Sequence, residues 1–282
     1  MNSMKTAMLL GLLTGLLLVV GYFLGGQQGM FLALIFSAVM NFVSYFFSDK
    51  LALAAYRAQP VTEAEAPKLY AIVQRLASKA GIPMPRLYIV QSPALNAFAT
   101  GRNPQHAAVA ATTGILQAMS EEELEGVLGH EISHVLNRDI LTSSIAATLA
   151  GALTFATRFA YMAPRSGDNR RGGNPLVALV MIVLAPLAAM LIQMAVSRSR
   201  EYGADASGAK LLGDPRPLAS ALEKLGSAAG RIPLQGATPT NAHLCIVNPF
   251  AGLGGLTALF STHPPIEERI RRLLAMSGTT PA

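Results

Sequence analysis

Gly129-His130-Glu131-Ile132-Ser133-His134-Val135 is the stretch that decides how this chain is read. On a helix, His130 and His134 leave the same face one turn apart, so two imidazoles can hold one metal ion. Glu131 follows the first histidine directly, close to such an ion without ligating it, where it can take a proton from an attacking water. Upstream, Ser120 reads as an N-cap and Glu123 as its capping-box partner, with Glu121 and Glu122 adding negative charge at the helix start. Leu124, Val127, Leu128, Ile132 and Val135 supply the apolar faces. Histidines at helical spacing also occur as surface or core residues with no metal. Here two of the chain's five histidines sit behind a capped helix start, which favours the metal.

The composition sets this helix in an apolar chain of 282 residues, 51% hydrophobic and 13% charged, with mean hydropathy +0.40. Those values point to a membrane protein with a water-facing part. A lone Cys245 excludes an intrachain disulfide framework and any multi-cysteine zinc site. The net charge of +6 is scattered and lacks aromatic interleaving, so it fits anionic lipid headgroups and not nucleic acid.

Residues 7–24 and 29–47 carry no charge, and each can cross a hydrocarbon core of about 30 Å. The Gly25-Gly26-Gln27-Gln28 link makes them a hairpin (1–47). Lys5 before it and Asp49, Lys50 and Arg57 after it place both ends in the cytoplasm. A cleaved signal peptide is the weaker reading of the first segment, because a second uncharged segment follows at once.

A water-soluble part carrying the metal helix spans 48–139. Thr62 and Glu65 form a second capping box, expected to open a helix through Leu69, Ile72, Val73 and Leu76 to Gly81. Leu87 to Val90 and His106 to Thr113 read as strands, with Asn96 to Gly101 a strand edge between them. Residues 140–196 hold two further apolar segments, 140–163 and 175–196, whose linker carries Arg165, Arg170 and Arg171. A crossing pair is favoured over a shallower hairpin, although a basic linker prefers the cytoplasm. Residues 197–282 complete the soluble part. They include a Gly- and Pro-rich region, 226–255, expected to be a mobile loop. They end in an amphipathic helix with Ile266, Ile270, Leu273 and Leu274 on one face and Arg269, Arg271 and Arg272 elsewhere. The expected fold is mostly α with a small β-sheet, a multi-pass membrane protein whose soluble domain is split in two.

A catalytic zinc site usually takes three protein ligands and keeps one position open. Glu201 and Asp205 are one helical turn apart, so Glu201 can ligate while Asp205 accepts a hydrogen bond from a ligand imidazole. His106, His243 and His263 are rival third ligands.

Four motifs then converge: His130-Glu131-Ile132-Ser133-His134, Ser199 to Ala206, Asn96-Ala97-Phe98-Ala99-Thr100-Gly101, and Thr262-His263-Pro264-Pro265. In this order they resemble the HtpX membrane metalloproteases and, more distantly, the CAAX prenyl proteases. The resemblance covers nearly the whole chain. It implies a zincin-like (gluzincin) zinc endopeptidase of the bacterial inner membrane, active site facing the cytoplasm, one Zn2+ per chain. It also implies misfolded or damaged membrane proteins as substrates, in quality control and stress response. Under it His130, His134 and Glu201 are the ligands, Glu131 is the general base, and Asp205 supports a ligand. Asn96 and His263 stabilise the tetrahedral intermediate, and Asn96 to Ala99 is the edge strand that pairs with substrate. Two readings from other classes compete: a membrane metal carrier, suggested by twelve Met and five His, and a catalytically idle membrane scaffold.

Overall fold

The computed structural model describes residues 2–137, 139, 141, 145, 198–229, 231, 234, 244–247 and 264–277. Nearly all of the 140–196 hairpin, most of the 226–255 region, His243 and His263 lie outside the described residues.

The chain opens with α1, Asn2–Ala55, broken at Gly25 and Gly26. Gly26 has φ 59° and ψ −142°, a backbone state that side chains strongly disfavour, so glycine makes the reversal there. The two halves fold back on each other. Asn41 Nδ2 donates to Thr14 Oγ1 at 3.1 Å, whereas 27 positions along one straight helix would separate them by about 40 Å. Where the halves cross, a Cβ on Gly21 would come within 2.6 Å of Gly29 O and Ala33 Cβ. The second half, Gly25–Ala55, is long and apolar enough to cross a membrane, and it is the one such helix among the described residues. Its outer face exposes Phe31, Leu32, Ile35, Phe36, Val39 and Phe42. It continues beyond residue 47 and plants Leu53 and Tyr56 in an apolar cluster on the sheet, while Asp49 pairs with Arg86 at 2.7 Å.

The sheet has four strands: β1 (Gln59–Pro60), β2 (Arg86–Val90), β3 (Ala97–Thr100) and β4 (Ala108–Thr112), in the order β1-β2-β4-β3. β2 and β4 run parallel, and β1 and β3 flank them antiparallel. The outer strand β3 packs against the metal helix. Half of the Thr62–Glu65 box forms: Glu65 Oε2 accepts from Thr62 N at 2.7 Å, but Glu65 N donates to the Thr62 carbonyl and not to its side chain. Yet the helix it was expected to open, α2, begins later, at Pro67, and runs to Ala80. The reason is local: a residue before proline avoids helical backbone, and Ala66 sits at φ −139°, ψ 59°. His106 belongs to a 3-10 turn, Pro104–His106, and not to β4; Thr113 opens the short helix α3 (Thr113–Ala118).

The metal helix is α4, Glu121–Asn137. Its box is reciprocal: Ser120 N donates to Glu123 Oε2 (2.9 Å) and Glu123 N to Ser120 Oγ (3.3 Å). Beyond the undescribed stretch come α5 (Arg198–Leu212), α6 (Arg216–Ala228) and α7 (Ile266–Ser277). One core joins Leu69, Ile72 and Leu76 of α2, Val127, Leu128 and Ile132 of α4, and Leu218 and Leu222 of α6 against the sheet. Glu123 ties the start of α4 to α6 through Lys224 (2.6 Å) and Ser220 (2.7 Å).

In α7 the sequence pattern misplaces two side chains. Leu274 is exposed, whereas Arg269, expected away from the apolar face, is fully buried. Apolar periodicity assigns arginine to solvent, but a buried carboxylate waits for this one.

Candidate metal centre and peptidase site

Two helices make the site by coming unusually close. Gly208 of α5 lies against the backbone of α4, so that a Cβ on it would stand 3.0 Å from His130 N. Gly126 likewise meets the backbone of Pro217 and Leu218, with a built Cβ 2.7 Å from Leu218 N. Through this approach Glu201, in the first turn of α5, reaches the two histidines of α4. His134 Nε2 lies 3.5 Å from Glu201 Oε1, and His130 Nε2 lies 3.8 Å from Glu201 Oε2. The two Nε2 atoms are 3.2 Å apart, and one donor atom from each of the three residues falls within 4.8 Å of the others.

That geometry fits a small divalent cation. Two imidazole nitrogens each about 2.0–2.1 Å from a tetrahedral ion stand a little over 3 Å from each other, and two His with one Glu is a known catalytic zinc donor set. The ring atoms pointing the other way meet carboxylates. His130 Nδ1 lies 2.9 Å from Asp205 Oδ1, an ion-pair approach with an oblique N–H direction, and His134 Nδ1 lies 3.5 Å from Asp139 Oδ2. Carboxylates behind Nδ1 leave both Nε2 lone pairs converging on one point. Burial works to lower the pKa of His134, but Asp139, Glu201 and Glu131 outweigh it and hold it up to about 9. So negative a site favours a cation.

Glu131 is buried beside this cluster, and its Oε2 accepts a 2.8 Å hydrogen bond from Ala99 N of β3. Burial pushes its carboxyl above the usual carboxylate range, against the pull of His130, His134 and the Ala99 N–H. A base with a raised pKa is better matched to proton transfer near neutral pH. The strand presents an edge here. Thr112 N donates to Asn96 O (2.9 Å), so by alternation the N–H and C=O groups of Ala97 and Ala99 point away from β4, towards α4.

The structure therefore brings together His130, His134, Glu201, Glu131, Asp205 and the strand that follows Asn96. His106 stays apart, bonded to Arg102 and Asn103 in its exposed turn. Two neighbours escaped the sequence reading. Asp139 lies just past α4, five residues after His134, a spacing that could have drawn notice. Arg269 pairs with Asp205 through two hydrogen bonds, Nε to Oδ2 (2.9 Å) and Nη2 to Oδ1 (2.7 Å), and no local pattern links residues 64 positions apart.

A helix-borne His-Glu-x-x-His pair with a third carboxylate from another helix is the arrangement that marks metallopeptidases. Residues 63–277 match the model described as Peptidase family M48, and the chain belongs to that family. Within it, the similar proteins carry the name Protease HtpX homolog. The one from Methylibium petroleiphilum is 53% identical over 277 residues, covering 98% of both chains, and that from Ralstonia nicotianae is 52% identical over 285 residues, covering 100% of this chain and 99% of its own. The fold is similar to the crystal structure of S. mikatae Ste24p, with TM-score 0.55 and 19% identity. The match covers 93% of this chain but spans only 62% of that one.

Proposed function

We propose that the chain is a zinc-dependent membrane endopeptidase. The observation that carries this reading is the convergence of His130, His134 and Glu201 beside a buried Glu131 that is bonded to a sheet edge. His130, His134 and Glu201 would hold the ion. Zinc there would supply a Lewis acid that brings the pKa of water towards about 7. Glu131 accepts the proton of the attacking water and returns it to the leaving amine. The outward groups of Ala97 and the carbonyl of Ala99 pair with an extended substrate, and Asn96 and His263 donate to the oxyanion. Main-chain pairing is largely indifferent to side-chain sequence, which suits unfolded segments of damaged membrane proteins and a role in quality control under stress.

The α1 hairpin is read as the membrane anchor of a multi-pass chain, with the site on the cytoplasmic side of a bacterial inner membrane. Arg102 stacks over Phe46 (5.2 Å) and Lys50 over Phe47 (5.1 Å), the aromatic and basic pairing expected where a span meets headgroups. A metal carrier is disfavoured because the donor cluster sits on α4 and α5 and not within the apolar hairpin. A scaffold is disfavoured because a structural site has no use for a non-ligating Glu131. A peptidase assay of the purified chain in detergent, with chelator and after zinc re-addition, separates the three. Zinc-restored cleavage supports the proposal, and an inert zinc-loaded chain refutes it.

A further inference from the structure

Arg269 does more than neutralise Asp205. Its third nitrogen, Nη1, donates to the carbonyl of Ile246 at 3.0 Å, and the N–H of that same residue donates to Asn96 Oδ1 at 3.1 Å. All four residues are buried. A backbone N–H can only donate, so the atom of Asn96 facing it must be the carbonyl oxygen. That fixes the carboxamide plane and leaves Nδ2, with its two N–H groups, on the other side. Nδ2 is buried and has no hydrogen-bond partner among the described residues. An unpaired buried amide donor is destabilising, so its persistence needs a reason. Asn96 immediately precedes β3, the strand whose outward edge carries the Ala99 N–H bonded to Glu131. A substrate chain laid along that edge would bring carbonyl oxygens to the place where Nδ2 lacks an acceptor.

We propose that Arg269 is a positioning residue for peptide cleavage: one buried guanidinium holds Asp205 behind His130 and, through the Ile246 main chain, sets the Asn96 carboxamide so that Nδ2 faces the scissile carbonyl. The proposal rests on the peptidase reading and on Asn96 acting at the substrate. It adds a mechanical link between the metal side and the oxyanion side of the site. An arginine is required because three of its nitrogens are used in one plane; lysine supplies charge but not the fork.

The test uses the full chain in detergent, zinc-loaded, with an unfolded peptide as probe. Arg269→Lys should lower kcat at least about tenfold with KM within about threefold, and Asn96→Ala should lower it by about 100-fold, as loss of one oxyanion donor does. At saturating zinc the double variant should be slower than Asn96→Ala by well under the factor that Arg269→Lys costs alone, because the part of the Arg269 effect that runs through Asn96 is already lost. Losses that multiply overturn the proposal. Ile246→Pro removes the N–H given to Asn96 but leaves the carbonyl used by Arg269, and Ile246→Ala controls for the lost side chain. The proline variant should lose kcat well beyond the alanine variant while keeping its zinc content; equal kcat for the two refutes the link even if Arg269→Lys does not fold. Zinc affinity of the metal-free chains gives a readout without turnover: Arg269→Lys should weaken it about 10- to 100-fold, and Ile246→Pro should not. Should the wild type itself not cleave, the peptidase reading has failed; a cleaving wild type with independent variants means this inference alone has failed.

Discussion

The main-chain N–H of Ala99 donates to Glu131 Oε2 across 2.8 Å, so the base and the sheet edge are held as one unit. A glutamine at 131 keeps an oxygen for that bond and keeps the side-chain shape, but it has no site for the proton. Glu131→Gln should therefore fold and bind one zinc per chain, while kcat falls by about 100- to 10,000-fold, the usual worth of a general base. Metal analysis beside a peptide-cleavage assay checks both halves. Cleavage near the wild-type rate would remove Glu131 from the mechanism.

The proposed ligands should behave differently. His134 and Glu201 meet at 3.5 Å, and His130 lies 3.2 Å from His134, so removing any one leaves an ion with two protein donors. His134→Ala and Glu201→Gln should lose zinc and cleavage together, and added zinc should no longer raise their melting temperature. That last measurement discriminates, because a ligand that binds only the folded chain must stabilise it. A Glu201→Gln chain that still gains stability from zinc would point to a different third ligand.

Helix packing supplies a third prediction. Alanine at Gly126 or Gly208 drives a methyl into the opposing backbone, at 2.7 and 3.0 Å, whereas at Gly129 it meets only the tip of Leu212. Backbone cannot step aside, but a leucine can change rotamer. Gly126→Ala and Gly208→Ala should each cost about 1–3 kcal/mol. Gly129→Ala should be near neutral, since alanine gains about 0.5–1 kcal/mol over glycine within a helix. Denaturant unfolding of the three variants ranks them. Gly208→Ala should also weaken zinc binding, because α5 carries Glu201 and would be pushed off α4.

What could be read from the sequence was local. The metal helix, its Ser120–Glu123 box and the glycine break in α1 each rest on residues within one or two turns, and each is found in the structure. The late start of α2 is legible too, since Ala66-Pro67 bars helical backbone at residue 66 whatever the Thr62–Glu65 pair favours. What stayed hidden depends on distant partners. β1 is two residues long and exists because Gln59 and Pro60 lie beside Ile89 and Tyr88. Arg269 looks like any arginine of an amphipathic helix until Asp205 is placed against it. The same holds for Asn96, whose unpaired Nδ2 is a property of burial and not of the motif that drew attention to it.

The Arg269–Asp205 pair gives the last prediction. Burial would raise the Asp205 carboxyl, but the Arg269 charge, its hydrogen bonds and His130 outweigh it and hold the pKa at about 2, below the ordinary 3.8. The unfolded chain thus binds this proton more readily than the folded one, and stability must rise with pH across the interval. The contribution is present in full above about pH 4 and is lost as pH falls towards 2. Its size is about 2 kcal/mol, from the fall of the pKa from 3.8 to about 2. Other carboxylates with lowered pKa, among them Glu65, Asp214 and Glu268, titrate in the same region, so the quantity to compare is a difference between chains. Urea unfolding of zinc-free wild type and Asp205→Asn, followed from pH 6 to pH 2, isolates it. The variant should start about 3 kcal/mol less stable, because Arg269 loses its nearest counter-charge and keeps only the longer ion pair with Glu201 at 3.9 Å. The gap between the two chains should then narrow by about 2 kcal/mol as the wild-type aspartate protonates. A gap that stays constant down to pH 2 would mean that Asp205 does not carry the charge that holds Arg269 in the core.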